Sequence, residues 1–217
     1  CTCNPSEPST MASRDPEATR EHLVQAAFQE VYEKGVKGTS MDAVLERTRV
    51  TKGALYHHFD GKKALCRAVI DEVVRPMVLS QWVSPLAGTT DPIAAVKDTL
   101  RRAVDSHCER TLQHGCPLNN LAQEVSGADG ELRAEVQRLY ADWIGALRDA
   151  LSRGQGAGKV RADVEPEAIA RFVVGAIEGA ITLGKASRDA KVFAGNLEML
   201  AAYLDWLRPV ARPRRRR

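Results

Sequence analysis

Apolar residues in this chain recur every three or four positions, and that spacing constrains the fold more than any other feature of the sequence. One example is the run Leu132, Val136, Leu139, Trp143 and Leu147, which forms a single stripe when wound into a helix. From residue 16 onward, no segment alternates apolar and polar residues over four or more positions, as a half-buried strand would. The sequence therefore predicts an all-α protein.

The composition excludes several protein classes but does not identify a function. The 217 residues include 31 basic and 28 acidic ones, and six of the basic residues are arginines within positions 208–217, so the rest is slightly acidic. The longest apolar run, 172–184, is too short for a membrane helix. The five cysteines show no CxxC pair, and no signal peptide is visible. We expect a soluble protein of a reducing cytoplasm.

The N-terminal part carries start and stop signals for three helices. Gly35 ends the first helix, Thr39 or Ser40 can cap a short second one, and Thr51 can cap a third. A fourth helix is expected from Lys62 to about residue 80. Three helices in so short a segment, with a tight turn between the second and third, are typical of a helix-turn-helix domain.

The turn and the third helix carry the functional signal. In a helix-turn-helix motif, the second helix of the motif enters the DNA major groove with its N-terminal residues at the base edges. Thr51, Lys52 and Gly53 occupy that leading end, where bulky side chains would hold the helix away. The stretch 47–67 carries one acid, Asp60, and six basic residues, which are Arg47, Arg49, Lys52, Lys62, Lys63 and Arg67. This local charge of +5 favours binding to DNA phosphates.

Residues 16–72 resemble the DNA-binding domain of TetR/AcrR-type transcriptional regulators. The resemblance lies in the Gly after the first helix, the Thr-Ser before the second, and a Leu-Tyr-x-His-Phe-x-x-Lys signature, here LYHHFDGK at residues 55–62. It implies that Phe59 packs in the domain core and that Lys62 meets a DNA phosphate. The full set predicted to contact DNA is Thr39, Ser40, Thr51, Lys52, Gly53, Tyr56, His57 and Lys62.

Arg49 departs from the family pattern, because members usually carry glycine in this turn. A residue other than glycine with a positive φ costs about 1 kcal/mol. We therefore expect the turn between the second and third helices to differ slightly from the usual one.

Beyond residue 77 the chain is similar to a TetR subgroup with a Gly-Cys-x-x-x-Asn-Leu-Ala-x-Glu segment, here residues 115–124. Some relatives of that kind respond to electrophiles or oxidants through a cysteine. Cys116 precedes Pro117, so its sulfur is expected at a helix N-terminus, where the pKa of a thiol falls. Cys116 is thus either a sensor or a small buried hydrophobic residue, whereas Cys66 and Cys108 lie in apolar stripes and are expected to be buried.

The same part of the chain supplies candidate ligand-binding residues. Aromatic walls with a few polar groups are typical of small-molecule pockets. The residues predicted to line one are Trp82, His107, Cys116, Asn119, Asn120, Glu124, Tyr140, Trp143 and Glu178. Four side chains, His107, Cys108, His114 and Cys116, are of metal-ligand types, but their spacing matches no known cage, so we expect no metal and no cofactor.

The composition and the resemblance together divide the chain into four predicted segments. The predicted segments are a disordered extension (1–12), a DNA-binding domain (13–75), a helical regulatory and dimerisation domain (76–208) and a basic tail (209–217). The helix at 168–183 is apolar on almost all sides, and the last helix has a heptad stripe. Together these two helices are predicted to form a two-fold homodimer interface.

These features predict a ligand-responsive transcriptional regulator that acts as a repressor. It would bind a palindromic operator as a homodimer and release it when a small apolar or aromatic effector, or an electrophile, occupies the C-terminal domain. The alternative is an all-α thiol-dependent enzyme centred on Cys116. The glycine-rich segment 154–160 does not favour a phosphate loop, because it is too short for that motif and follows a helix.

Overall fold

A computed structural model describes residues 15–106, 109–125 and 130–209. These residues form helices and contain no β-strand, so the predicted fold class is confirmed. The helices are α1 (Pro16–Gly38), α2 (Met41–Thr48), α3 (Lys52–His58), α4 (Gly61–Val69), α5 (Arg75–Val78), α6 (Pro92–Asp105), α7 (Glu109–His114), α8 (Pro117–Val125), α9 (Gly130–Gly156), α10 (Pro166–Ser187) and α11 (Ala190–Trp206). The predicted extension at 1–12, most of the tail at 209–217, His107 and Cys108 lie outside the described residues.

The backbone stays helical from the start of α4 through α5 and beyond. Wider π-helical turns at Ile70–Val74 and Leu79–Val83 flank α5, and a 3₁₀ turn at Ser84–Leu86 follows. The helical stretch that we expected to end at about residue 80 therefore continues a few residues further.

Side-chain caps define the ends of the first three helices. Asp15 accepts a hydrogen bond from the Glu17 N–H at 2.9 Å at the start of α1. Ser40 accepts from the Ala43 N–H at 3.1 Å, and Thr51 accepts from the Ala54 N–H at 3.3 Å. Each cap satisfies an amide that the helix itself leaves without a partner, so these helices begin at fixed positions. The predicted caps of α2 and α3 are confirmed.

Arg49 closes α2 in the left-handed conformation, with φ 56° and ψ 19°. Its N–H donates to the carbonyl of Leu45 at 2.8 Å. We expected the turn to change because glycine is missing, but the structure keeps the left-handed geometry and places an arginine in it. The backbone at Arg49 therefore carries the cost that glycine would avoid, about 1 kcal/mol.

The described residues pack into two compact units. The first unit combines the described residues up to 77 with those of 116–139, so α8 and the start of α9 pack with α1 to α4. Its core includes Leu23, Val24, Leu55, Phe59, Leu65, Ile70, Leu118 and Leu121. The second unit contains the remaining described residues, and its core includes Ile93, Leu100, Trp143, Leu147, Val173, Ile177, Leu197 and Leu204.

None of the helices in the described part of the chain combines the length and the apolar character that crossing a membrane requires.

Candidate nucleic-acid interface

One face of α3 is open to solvent, and the other is packed in the first unit. Leu55 and Phe59 are buried, which fixes the orientation of the helix. The exposed positions are Thr51, Lys52, Gly53, Tyr56 and His57, which are all predicted DNA contacts. A β-carbon at Gly53 would meet no atom of the described residues within 4 Å, so the space in front of Gly53 is open there.

Tyr56 extends from this face with 48% of its surface exposed. The Lys52 ammonium lies 5.9 Å from the centroid of the Tyr56 ring, within the range of a cation–π contact. An exposed tyrosine beside a lysine offers a hydroxyl and a positive charge to the same neighbouring group. This pair suits a phosphate or sugar better than it suits a protein core.

The helix α2 is held against α1 by a network of charged side chains. The buried Glu30 carboxylate, only 2% exposed, pairs with Lys34 at 2.9 Å and with Arg47. Arg47 also pairs with Glu33 at 2.5 Å. Burial by itself raises the pKa of Glu30, but hydrogen bonds from Lys34 and Arg47 outweigh burial and hold this pKa below its ordinary value. The network therefore fixes the first helix of the motif while the carboxylate stays charged.

These ion pairs correct the charge that we counted from the sequence. Arg47 is neutralised by acids of α1, which lie outside the counted stretch, and Lys63 pairs with Glu131 at 3.0 Å. Among the described residues of this stretch, Arg49, Lys52 and Arg67 are exposed and form no ion pair. The positive charge left without an acidic partner is thus smaller than the six basic residues suggest.

The remaining predicted DNA contacts lie at the helix ends around α2 and α4. Ser40 is exposed, with its hydroxyl engaged in the cap of α2. Thr39 is buried, and its hydroxyl donates to the Gly35 carbonyl at 2.8 Å, so this side chain secures the end of α1. Lys62 lies in the first turn of α4, and its ammonium donates to the Lys37 carbonyl at 3.2 Å.

The predicted ligand-binding residues fall into two groups. Cys116, Asn119, Asn120 and Glu124 belong to the first unit, where α8 packs on α1. Cys116 is partly exposed at the start of α8, and its carbonyl accepts from the Asn120 N–H at 3.0 Å. Glu124 accepts from the backbone N–H of Lys37 at 3.2 Å. Cys66 is buried, as expected, and burial raises its pKa to about 11.

Trp82, Tyr140, Trp143 and Glu178 form the second group, in the second unit. The indole rings of Trp82 and Trp143 stack with centroids 5.1 Å apart. The Tyr140 hydroxyl donates to the Glu178 carboxylate at 3.4 Å. The cavity beside the two indoles measures about 10 Å³, which is room for one water molecule at most. The expected walls of a pocket therefore contact each other.

An exposed apolar stripe runs along α10 and continues on α11. Its large members are Phe172, Leu183, Met199 and Trp206, which are 53%, 51%, 71% and 54% exposed. A β-carbon at Gly175, Gly179 or Gly195 would meet nothing within 4 Å. The spacing 172, 175, 179, 183 and the spacing 195, 199, 206 each place these residues on one helix face. Exposed apolar patches on a protein surface commonly mark sites of interaction with another protein.

Two family models match the chain. The model described as "Bacterial regulatory proteins, tetR family" matches residues 23–69. The model described as "Tetracyclin repressor-like, C-terminal domain" matches residues 92–200. The first match spans α2 to α4 and most of α1, and the second runs from α6 into α11.

Individual proteins show the same similarity along most of their length. The chain is 31% identical to the uncharacterized HTH-type transcriptional regulator in the lacX 3′ region of Lactococcus lactis subsp. lactis, over 84% of this chain and 91% of that protein. It is 26% identical to the HTH-type transcriptional repressor DhaR of Mycobacterium sp. (strain GP1), over 78% and 84%. A solved TetR transcriptional regulator from Chloroflexus aurantiacus J-10-FL aligns with TM-score 0.77 at 25% identity, over 89% and 97%.

Proposed function

This chain belongs to the TetR family of bacterial transcriptional regulators, and on that premise we propose that it binds operator DNA as a homodimer and releases it when a small effector binds. The observation that carries the proposal is the exposed face of α3, which is open at Gly53 and lined by Thr51, Lys52 and Tyr56. The relatives are named as transcriptional regulators, which favours this function over a thiol-dependent enzyme centred on Cys116.

The residues of this face divide into two roles. Thr51 and Lys52 lie at the start of α3, where side chains reach base edges in the major groove. Tyr56, His57 and Lys62 contact phosphate or sugar and fix the register of the protein on the duplex. In this scheme residues 13–75 bind DNA and residues 76–208 serve regulation and dimerisation. A chromosomal operator places this activity in the cytoplasm.

The apolar stripe of α10 and α11 is the proposed dimer interface. Gly175, Gly179 and Gly195 leave room for a second pair of helices to approach closely, while Phe172 and Met199 supply apolar surface to bury. A two-fold dimer presents two copies of α3 to DNA, and the operator is then a palindrome with half-sites about 34–36 Å apart, or a multiple of that distance.

The effector is proposed to be a small apolar or aromatic molecule that separates Trp82 from Trp143. Because the cavity beside these rings is about 10 Å³, such a molecule must bind a more open conformer than the one described. If the open conformer disfavours DNA binding, the effector and the operator compete through the protein's conformation. Covalent capture of an electrophile at Cys116 is a second form of this proposal, and Cys116→Ser distinguishes the two because only the covalent form needs the thiol.

The repressor assignment is supported by DhaR, a relative that is itself named as a transcriptional repressor. The experiment for the whole proposal is a selection of genomic fragments bound by the full-length protein, followed by footprinting of the enriched sequence. We expect a palindromic footprint that is protected by the wild-type protein and lost with Lys52→Ala. Enrichment of no common sequence would contradict the proposal.

A further inference from the structure

We propose that Glu124 is a positioning residue for DNA binding, which fixes the Lys62 ammonium through the peptide groups of Lys37. This inference rests on the proposed function, in which Lys62 contacts a DNA phosphate. It gives Glu124 a role that differs from the ligand contact expected from the sequence. The observation behind it is that side chains of α8 and α4 bind the backbone N–H and the backbone carbonyl of the same residue, Lys37.

Lys37, in the last turn of α1, is bound at both of its backbone polar groups. Its N–H donates to the Glu124 carboxylate of α8 at 3.2 Å. Its carbonyl accepts from the Lys62 ammonium of α4 at 3.2 Å. All three residues belong to the first unit. The backbone of Lys37 therefore links the Glu124 carboxylate of α8 to the Lys62 ammonium of α4.

Gly35 makes this arrangement possible. Its φ of 75° and ψ of 169° interrupt the regular geometry of α1, and a β-carbon at this position would overlap the Glu124 carboxylate. The Gly35 carbonyl accepts from the Thr39 N–H at 3.1 Å and from the Thr39 hydroxyl at 2.8 Å. Since Ser40 then caps α2, the segment that Glu124 holds leads directly into the helix-turn-helix motif.

Packing does not confine the Lys62 side chain. Lys62, Glu124 and Cys66 border an open cavity of about 310 Å³, so the lysine has room to adopt other rotamers. The hydrogen bond to the Lys37 carbonyl is what directs the ammonium. A lysine that is already directed loses less side-chain entropy when it meets a phosphate, which strengthens binding without adding a contact.

The test is a double-mutant cycle in the full-length protein, measured as affinity for the footprinted operator by fluorescence anisotropy. Glu124→Ala should weaken binding by about three- to tenfold, the factor expected from ordering one long side chain. Glu124→Gln keeps an oxygen that accepts from the Lys37 N–H, so it should restore most of the affinity. In a Lys62→Ala background, Glu124→Ala should have no further effect.

Glu131→Ala is the matched control. It also removes one negative charge, and the carboxylate it removes pairs with another lysine of α4, Lys63, at 3.0 Å. Removing negative charge near DNA should leave affinity unchanged or raise it slightly, so a loss confined to Glu124→Ala cannot come from net charge. Amide hydrogen exchange at Lys37 should accelerate in Glu124→Ala and stay as in wild type in Glu131→Ala.

Three outcomes overturn the proposal. Additive effects of Glu124→Ala and Lys62→Ala would show that Glu124 acts on stability and not through Lys62. Equal operator affinity of Glu124→Ala and wild type would show that Glu124 positions nothing. A wild-type protein without a preferred DNA site would contradict the proposed function itself, and that result is visible before any variant is made.

Discussion

Trp82 and Trp143 stack on each other with ring centroids 5.1 Å apart and an interplanar angle of 25°. This contact closes the region where a small effector is proposed to bind. The two rings come from the helical stretch that follows α5 and from α9. Under the proposal, an effector must separate these two rings before it can bind between them.

Removal of one indole ring should create a cavity that a free indole molecule can fill. Trp82→Ala opens a cavity beside Trp143 and should lower the free energy of unfolding by about 2–3 kcal/mol. Indole at millimolar concentration should then raise the melting temperature of this variant but not of the wild type. Tyr56→Ala is the control, because Tyr56 is an exposed aromatic residue of the first unit and its removal leaves no enclosed cavity. Equal stabilisation of wild type and Trp82→Ala by indole would contradict the closed-pocket account.

The lowered pKa of Glu30 makes stability depend on acid. Because the folded-state pKa lies below that of the unfolded chain, the ion pairs stabilise the fold above the unfolded value near 4.5 and are lost as the pH falls further. Glu30→Gln should lower the free energy of unfolding at pH 7 by about 1–3 kcal/mol and flatten its decline in acid. Chemical denaturation across pH measures both effects.

Glu33→Gln is the comparison, because Glu33 contacts the same arginine from a more exposed position. Its effect at pH 7 should stay below about 1 kcal/mol. Equal losses in the two variants would indicate that burial of Glu30 does not decide the strength of the network.

Arg49→Gly separates a backbone effect from a charge effect. Glycine tolerates the left-handed φ of 56°, so the variant should gain up to about 1 kcal/mol in unfolding free energy. It should also bind DNA of any sequence less tightly, because a positive charge near the motif is lost. Arg188 has the same backbone conformation at the end of α10, and Arg188→Gly should stabilise the fold without changing DNA affinity. Thermal unfolding measures the stability of each variant, and anisotropy titrations measure its affinity for DNA. A loss of stability in either variant would contradict the account.

A charge in the apolar stripe should prevent assembly. Leu183→Glu places a carboxylate in the proposed interface, where a buried unpaired charge would cost several kcal/mol. Sedimentation equilibrium should find a monomer that binds the operator at least about tenfold more weakly, because one half-site is then lost. Arg101→Glu changes an exposed residue of α6 and should remain dimeric. A dimeric Leu183→Glu protein would place the interface elsewhere.

Features that depend on neighbouring residues could be predicted from the sequence. The caps Ser40 and Thr51, the interruption of α1 at Gly35 and the exposure of Tyr56 follow from local hydrogen bonding and helical periodicity. The family resemblance added the role of α3. For these residues, capping and the spacing of apolar residues along the sequence are enough to predict the local structure.

Features that depend on distant packing could not be predicted. Arg47 was counted toward the local charge of +5, but Glu30 and Glu33 of α1 neutralise it. Glu124 and Trp143 were expected in one pocket, yet they belong to different units, and Glu124 contacts a backbone amide 87 residues earlier in the chain. Periodicity gives the face of a helix that is buried, but not the helix that covers it.

The central claim, sequence-specific DNA binding through α3, is tested most directly by comparing two affinities of the wild-type protein at physiological salt. One is for the footprinted operator, and the other is for a duplex of the same length and composition in scrambled order. The account predicts an affinity for the operator at least about a thousandfold higher. It also predicts that Lys62→Ala weakens both affinities and reduces the log–log salt dependence by about one unit. Equal affinity of the wild-type protein for the two duplexes would contradict it.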